Sequence, residues 1–342
     1  MKLLFTGGTG FFGKAVLRYL QAQRRKHPGF SLDSDTDPDS TDSNLMPAEV
    51  VVLSRTPDRF LARHPEFAHL DWLRFHRGDI GEASSLPNND SFTHILHAAA
   101  DSTDASSLTP LQRYDQIVAG TRNVLQCAIA VGAKRFLLTS SGGVYGPQPQ
   151  DLPNIPETYR GMPDSLNPDD VYGMAKRQTE HLCALYRSQY GLETVIARCF
   201  AFVGPDLPLD AHFAIGNFIR DALHEEAITV VGDGSPLRTY LYQDDLAEWL
   251  LTLLAKGKAG EAYNVGSNTV VSIAELARLV RDILAPHKEL RIAGNKRNDN
   301  KRNRYIPDIG KAQQELGLQV KIPLAESIRR TGSLLSRTMV TK

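Results

Sequence analysis

An α/β fold is what this sequence predicts: a doubly wound parallel sheet, with a smaller α/β region toward the C-terminal end. Three observations carry the prediction. Short apolar runs alternate with longer amphipathic stretches over the first 200 residues, the first run leads directly into a glycine-spaced turn, and beyond residue 200 the rhythm loosens. Strand–helix alternation produces a parallel sheet because each crossover lays a helix on one of its faces.

The strands are near-continuous apolar runs, as expected where both faces are buried. They are "KLLF" (2–5), "EVVVL" (49–53), "WLRF" (72–75), "HILHAAA" (94–100), "KRFLLTSS" (134–141) and "LETVIARCF" (192–200). Helical patterns over 112–132 and 172–191 close on Gly132 and Gly191, where a left-handed cap is expected. Further on, 204–213 reads as loop, 227–240 as strand and turn, 244–255 as helix and 262–267 as a short strand. A helix over 272–284 opens on Ser272 and Glu275, a capping box. The last ten residues offer no apolar pattern and are expected to fray. The division read from these elements is 1–196 plus 238–262 for the first unit, 197–237 plus 263–332 for the second, and 333–342 as a tail.

Lys plus Arg total 39 and Asp plus Glu total 39, so the formal net charge is zero. Nonspecific nucleic-acid binders carry a basic excess, and this chain does not. Cys127, Cys183 and Cys199 lie far apart without metal-ligand spacing, which argues for a reducing compartment. "MKLLFTGG" lacks the apolar core of a signal peptide, and no window approaches the ~18 apolar residues of a membrane helix. A cytoplasmic protein is expected. The stretch 27–48 carries alternating aspartates between the first helix and the second strand. Counted from Asp33, a calcium loop needs glycine at Pro38 and glutamate at Asn44, so the pattern fails and a flexible acidic insertion is read instead.

"TGGTGFFG" (6–13) spaces Gly7, Gly10 and Gly13 three apart between a strand and a helix. A tight turn, close approach to a pyrophosphate and helix packing each disfavour a side chain there. The helix amides near Phe11 and Phe12 then present donors and positive potential to phosphate. This is the fingerprint of a Rossmann-type dinucleotide site. The second strand ends on Ser54 and Arg55 where an acidic residue would favour NAD(H); an arginine there pairs with a 2′-phosphate, so NADP(H) is favoured and NAD(H) stays possible. The alternative for Arg55 is a solvated surface side chain. Asp79, followed by Ile80, is placed to accept from the adenine amino group, and Ala98, Ala99 and Ala100 let the backbone approach the cofactor. His94 and His97, at i and i+3 on a strand, face opposite sides and make no metal pair.

"YGMAK" sets Tyr172 and Lys176 at i and i+4, on one helix face. A phenol of pKa ~10 becomes useful when nearby cations, the lysine and a nicotinamide, lower it by ~1–3 pH units each. Ser141, at the end of another strand, can donate to the same substrate oxygen. Together they fit hydride transfer at a carbonyl or alcohol, with Tyr172 handling the proton, Lys176 tuning it and Ser141 orienting the oxygen.

These segments, with "GTRNVL" (120–125), "RCFAFVGP" (198–205) and "VGDGSPLRTYLYQDDLA" (231–247), resemble an extended short-chain dehydrogenase/reductase of the NAD(P)-dependent epimerase/dehydratase family acting on nucleotide sugars. The resemblance runs over nearly the whole chain. It implies that Arg238 grips a substrate diphosphate, that the segment around Asn217 lines the sugar cleft, and that Arg297 or Arg304 completes a phosphate clamp. It also implies a homodimer through 112–131 and 172–190, and a nucleotide-sugar substrate in polysaccharide precursor synthesis. The chain departs from the family at Ala201, where an asparagine is usual, and at Gln116 and Ile117.

A further departure concerns "TSSGGVYG" (139–146). Dehydratases of this resemblance place an Asp–Glu pair after the hydroxyl residue, and decarboxylating relatives keep a glutamate in that turn; here stand Gly142 and Gly143. A 4,6-dehydratase is therefore not expected, and Gly142 is read as room for substrate. The expected activity is reduction of a nucleotide-linked 4-keto-6-deoxyhexose at C4. The alternatives are a 4-epimerase holding NAD tightly and, ranked lowest, a non-catalytic nucleotide-sensing or RNA-binding protein of the same fold.

Overall fold

The computed structural model describes residues 1–26, 46–99, 108–294 and 303–340. Ala100, Arg297 and most of the acidic insertion lie outside the described residues.

In chain order the strands are β1 (Lys2–Thr6), β2 (Glu49–Ser54), β3 (Leu73–Arg77), β4 (His94–His97), β5 (Arg135–Ser141), β6 (Glu193–Cys199), β7 (Phe202–Val203), β8 (Ala227–Val230), β9 (Leu237–Arg238), β10 (Leu241–Tyr242), β11 (Ala262–Val265), β12 (Val271–Ser272), β13 (Glu289–Ile292) and β14 (Arg304–Tyr305). The helices are α1 (Phe11–Lys26), α2 (Pro57–Arg63), α3 (Pro110–Ala130), α4 (Val171–Tyr190), α5 (Ala214–His224), α6 (Gln243–Lys256), α7 (Ile273–Leu284), α8 (Gly310–Leu316) and α9 (Leu324–Val340).

Seven strands make the main sheet in the order β11-β6-β5-β4-β1-β2-β3, and every pairing in it is parallel. The chain starts in the middle, builds one way through β2 and β3, then returns to build the other way from β4. The order reverses between β1 and β4, which opens a crevice at their carboxyl ends. Alternate side chains feed opposite faces: Leu3 and Phe5 pack with α1 and α6, while Leu4 packs with α3 and α4. Burial on both faces explains why the strands read as unbroken apolar runs. Gly132 and Gly191, both at φ +71°, end α3 and α4 as expected. The Ser272–Glu275 capping box opens α7, and Thr109 with Gln112 forms another before α3.

A second core lies among α5, α7, α9 and β8, built from Ile215, Phe218, Ile228, Leu276, Val280 and Ile328. The small sheet β12-β9-β14 and the parallel pair β8–β13 border it. The chain returns to the main unit at α6, which packs on α1, and β11 closes the sheet beside β6. The C-terminal end differs from expectation, since α9 continues to Val340. Leu324, Ile328, Thr331 and Leu335 form one stripe against the second core, a helical period that reading the last ten residues alone cuts in half. Among the described residues no helix is long and apolar enough to cross a membrane.

Candidate active site

A cleft of about 870 Å³ opens at the crevice between β1 and β4 and extends under the second core. Gly7, Gly10, Phe11, Phe12 and Ala98 line one end. At φ +77°, a Cβ on Gly7 would stand 2.5 Å from the carbonyl carbon of Ala98, so only glycine lets the turn close over the end of β4. A Cβ on Gly13 would stand 2.1 Å from the Gly8 carbonyl carbon, which seats the first turn of α1 on the loop before it. The rings of Phe11 and Phe12 pack on Phe202 at 6.4 and 5.1 Å, tying the start of α1 to β7.

The neighbouring strand ends follow. Ser54 is buried, its Oγ accepting from the Thr56 amide at 3.3 Å, and Arg55 is exposed. The acidic residue that follows, Asp58, is ion-paired with Arg77. Asp79 accepts from the Gly81 amide at 2.9 Å; Ile80 packs under Gly120, where a Cβ would stand 2.7 Å from its Cδ1. The Ala99 amide donates to Thr6 Oγ1 at 3.4 Å. A glycine cradle that a Cβ would fill and a helix N-terminus fit a dinucleotide, and among the described residues no unpaired carboxylate stands at the end of β2. His97 is buried between Thr6 Oγ1 at 2.6 Å and Thr121 Oγ1 at 3.0 Å. Thr121 spends its own proton on the Ile117 carbonyl, so it accepts from His97 Nε2, and burial pushes that imidazole down to about 3. Among the described residues no cluster of metal ligands occurs.

Ser141, Tyr172 and Lys176 come together on the floor of the cleft. Ser141 ends β5, and its Oγ accepts from the Gly143 amide at 3.0 Å. A Cβ on Gly173 would stand 2.6 Å from the Gly143 carbonyl oxygen, so glycine lets the first turn of α4 rest on that turn and brings Tyr172 to Ser141. Lys176 Nζ donates to the Thr139 carbonyl at 2.8 Å and stands 5.9 Å from the Tyr172 ring centre. Burial pushes Lys176 down to about 8. Burial raises the Tyr172 phenol above its ordinary value, and Tyr305 and Cys199 add to this; Arg113 and the hydrogen bond with Ser141 act the other way. The cation nearer to the ring is thus not Lys176 but Arg113, whose guanidinium lies 4.8 Å over it.

Several expected residues stand elsewhere. Gly142 does not line the cleft: a Cβ there would meet Tyr305 Oη at 2.7 Å and Phe200 Cζ at 2.8 Å. It makes room for those two rings, not for substrate, while Gly143 faces the cleft. Arg238 does line it, with Nη1 donating to the Leu237 carbonyl at 2.8 Å. Asn217 does not; its amide, in the orientation that satisfies both groups, donates to the Leu209 and Ala211 carbonyls at 2.7 and 2.9 Å and pins the loop before α5. Arg304 points away, donating to the Pro153 carbonyl at 3.2 Å. Successive side chains of β14 alternate, so Tyr305 takes the cleft side and places its hydroxyl 3.4 Å from Ser141 Oγ. Sequence reading missed Tyr305 and Arg113. The signal for Arg113 was an arginine on the stripe of α3 that carries Ile117, Thr121 and Val124, all buried.

Comparison with known proteins agrees with this geometry. Residues 3–266 match the model of the NAD dependent epimerase/dehydratase family. UDP-glucuronic acid decarboxylase 6 of Arabidopsis thaliana is 30% identical over 329 residues, covering 96% of this chain and 87% of its own length. Among solved structures, a dTDP-glucose 4,6-dehydratase of Streptomyces venezuelae with NAD bound superposes with a TM-score of 0.81 at 28% identity, over 100% of this chain and 98% of the other. UDP-glucose 4-epimerase of Thermotoga maritima with UDP-glucose gives 0.78 at 25% identity, over 99% of this chain and 100% of its own. Sequence and fold agree along almost the full chain, and the protein belongs to the NAD-dependent epimerase/dehydratase family.

Proposed function

We propose that this protein is an NADPH-consuming reductase of a nucleotide-linked 4-keto-6-deoxyhexose, acting at C4. The observation that carries the reading is the closed turn after Ser141. Phe200 and Tyr305 fill the space beside Gly142, and Gly143, which does face the cleft, brings no side chain, so the turn offers no acidic group for elimination or decarboxylation. Among the described residues, the carboxylates that line the cleft are Asp169, exposed at its mouth, and Asp206, ion-paired with Lys14 and Arg18 at 3.4 and 3.0 Å. The proton-handling groups at the floor are then hydroxyls, which suit one hydride and one proton.

When bound, NADPH would supply a hydride for C4. Gly7, Gly10 and the first amides of α1 would hold its pyrophosphate, Arg55 its 2′-phosphate, and Lys176 its ribose. Ser141 donates to the C4 oxygen and orients it. As the carbonyl π pair becomes an oxygen lone pair, Tyr172 gives up its proton to that oxygen and is reprotonated from solvent. Arg238 grips the diphosphate. The exposed Arg55, with no unpaired carboxylate among the described residues at the end of β2, supports NADPH and hence net reduction. The likeness to the Thermotoga maritima UDP-glucose 4-epimerase supports a second reading, a C4 epimerase that returns its hydride.

NADPH and NADH oxidation are measured against a panel of nucleotide-linked 4-keto-6-deoxyhexoses, with sugar configuration followed in parallel. Substrate-dependent NADPH loss is expected. A change of configuration with no net cofactor consumption would replace the reductase by the epimerase. Tyr172→Phe is expected to keep cofactor binding and lose ~10²–10⁴-fold in turnover; retained turnover would remove Tyr172 from the chemistry.

A further inference from the structure

Arg113 enters the cleft from α3, and its surroundings are unusual for a charged side chain. Its guanidinium carbon lies 4.8 Å over the centre of the Tyr172 ring. Its Nε is buried with no hydrogen-bond partner, and among the described residues no carboxylate pairs with it. The residue as a whole is half-buried, but that Nε gives up water without gaining a hydrogen bond, which normally costs stability. Here the compensating electron density is the face of one phenol. The position is held, since Arg113 shares the α3 stripe with Ile117, Thr121 and Val124, and that helix packs on α4.

We infer that Arg113 is a positioning residue for the acid–base step: it clamps the Tyr172 ring and supplies the positive charge that stabilises its phenolate. The inference rests on the acid–base role proposed for Tyr172, but not on which sugar is reduced. Among the described residues, the charged and titratable groups around the phenol are Arg113 from α3, Lys176 from α4 itself, Cys199 from β6, Tyr305 from β14 and Asp169 at the cleft mouth. The Ser141 hydroxyl faces it from β5. Lys176 is more remote, at 5.9 Å from the ring centre, and its Nζ is engaged by the Thr139 carbonyl. Tyr305 and Cys199 oppose ionisation through the negative charge they carry once deprotonated. Removing Arg113 therefore removes the cation closest to the ring centre, one that favours the phenolate, while the burial that disfavours it remains.

The test needs no turnover. The full chain is produced with tyrosine labelled at the ζ carbon, and the Tyr172 resonance is assigned by its loss in Tyr172→Phe. It is titrated with saturating NADP⁺ in the wild type, Arg113→Lys and Arg113→Met. The wild type is expected to titrate within the pH range where the protein stays folded. Arg113→Met is expected to move the midpoint up by ~1 pH unit or more, with Arg113→Lys between the two. Arg113→Met and wild-type midpoints that coincide would overturn the inference, as would a wild-type phenol that stays protonated to the alkaline limit of folding. A rise in KM with an unmoved midpoint would make Arg113 a substrate contact and refute the electrostatic role. Loss of the reductase reading shows in the sugar panel and leaves this titration intact, so the two failures are distinguishable.

Discussion

Substituting Gly142 by alanine tests why the turn after Ser141 carries glycine. The added Cβ would stand 2.7 Å from Tyr305 Oη, 2.8 Å from Phe200 Cζ and 2.9 Å from Phe200 Cε1, against an ordinary contact of 3.4 Å or more. The neighbours would have to yield by about 0.5–0.7 Å. They cannot do so cheaply, because the Phe200 and Tyr305 rings pack together at 4.5 Å and Phe200 is buried beside Tyr145. Forcing an extra carbon into such a site costs ~1–3 kcal/mol. The expected result is a loss of that size in urea unfolding, together with reduced turnover as Tyr305 Oη is displaced from Ser141 and from the Cys199 carbonyl. Phe200→Leu removes ring atoms that the Cβ would strike. In a double-mutant cycle the Gly142→Ala cost should then shrink, with a coupling of ~0.5 kcal/mol or more. A neutral Gly142→Ala, or costs that simply add, would refute the argument that the rings close this turn against a side chain.

Two further outcomes are expected. Arg55→Ala should weaken NADPH binding ~10–100-fold, as for loss of a charge-assisted hydrogen bond, and leave NADH binding unchanged; equal effects on both cofactors would make Arg55 a surface residue. Lys176 has an ordinary value of 10.5 and is pushed down to about 8 in the fold. Between those values the unfolded chain binds a proton that the folded chain has released, so this contribution to stability rises with pH. Below pH ~8 the buried charge costs about 3 kcal/mol in full. Lys176→Met should accordingly gain most over the wild type at or below pH ~8, with the gain shrinking toward pH ~10. Urea midpoints of the two proteins that differ by a constant across this range would contradict the burial argument.

Local chemistry was legible wherever the chain itself imposes it. The turn at Gly7 demands positive φ and an absent Cβ, the strands need apolar residues on both faces, and Tyr172 and Lys176 share a helix face by their spacing alone. Ser141 at a strand end, the caps at Gly132 and Gly191 and the capping box at Ser272 follow from the same short-range rules. Tertiary structure decided what depends on side chains brought from afar. Tyr305 reaches Ser141 across 164 positions, and its ring with that of Phe200 turns Gly142 from apparent room for substrate into a packing requirement. Asn217 became a loop pin and Arg304 turned outward, because a loop's path and a two-residue strand's alternation cannot be read from composition. Arg113 had no motif to announce it, and its meaning came only when the packing of α3 on α4 laid its charge over Tyr172.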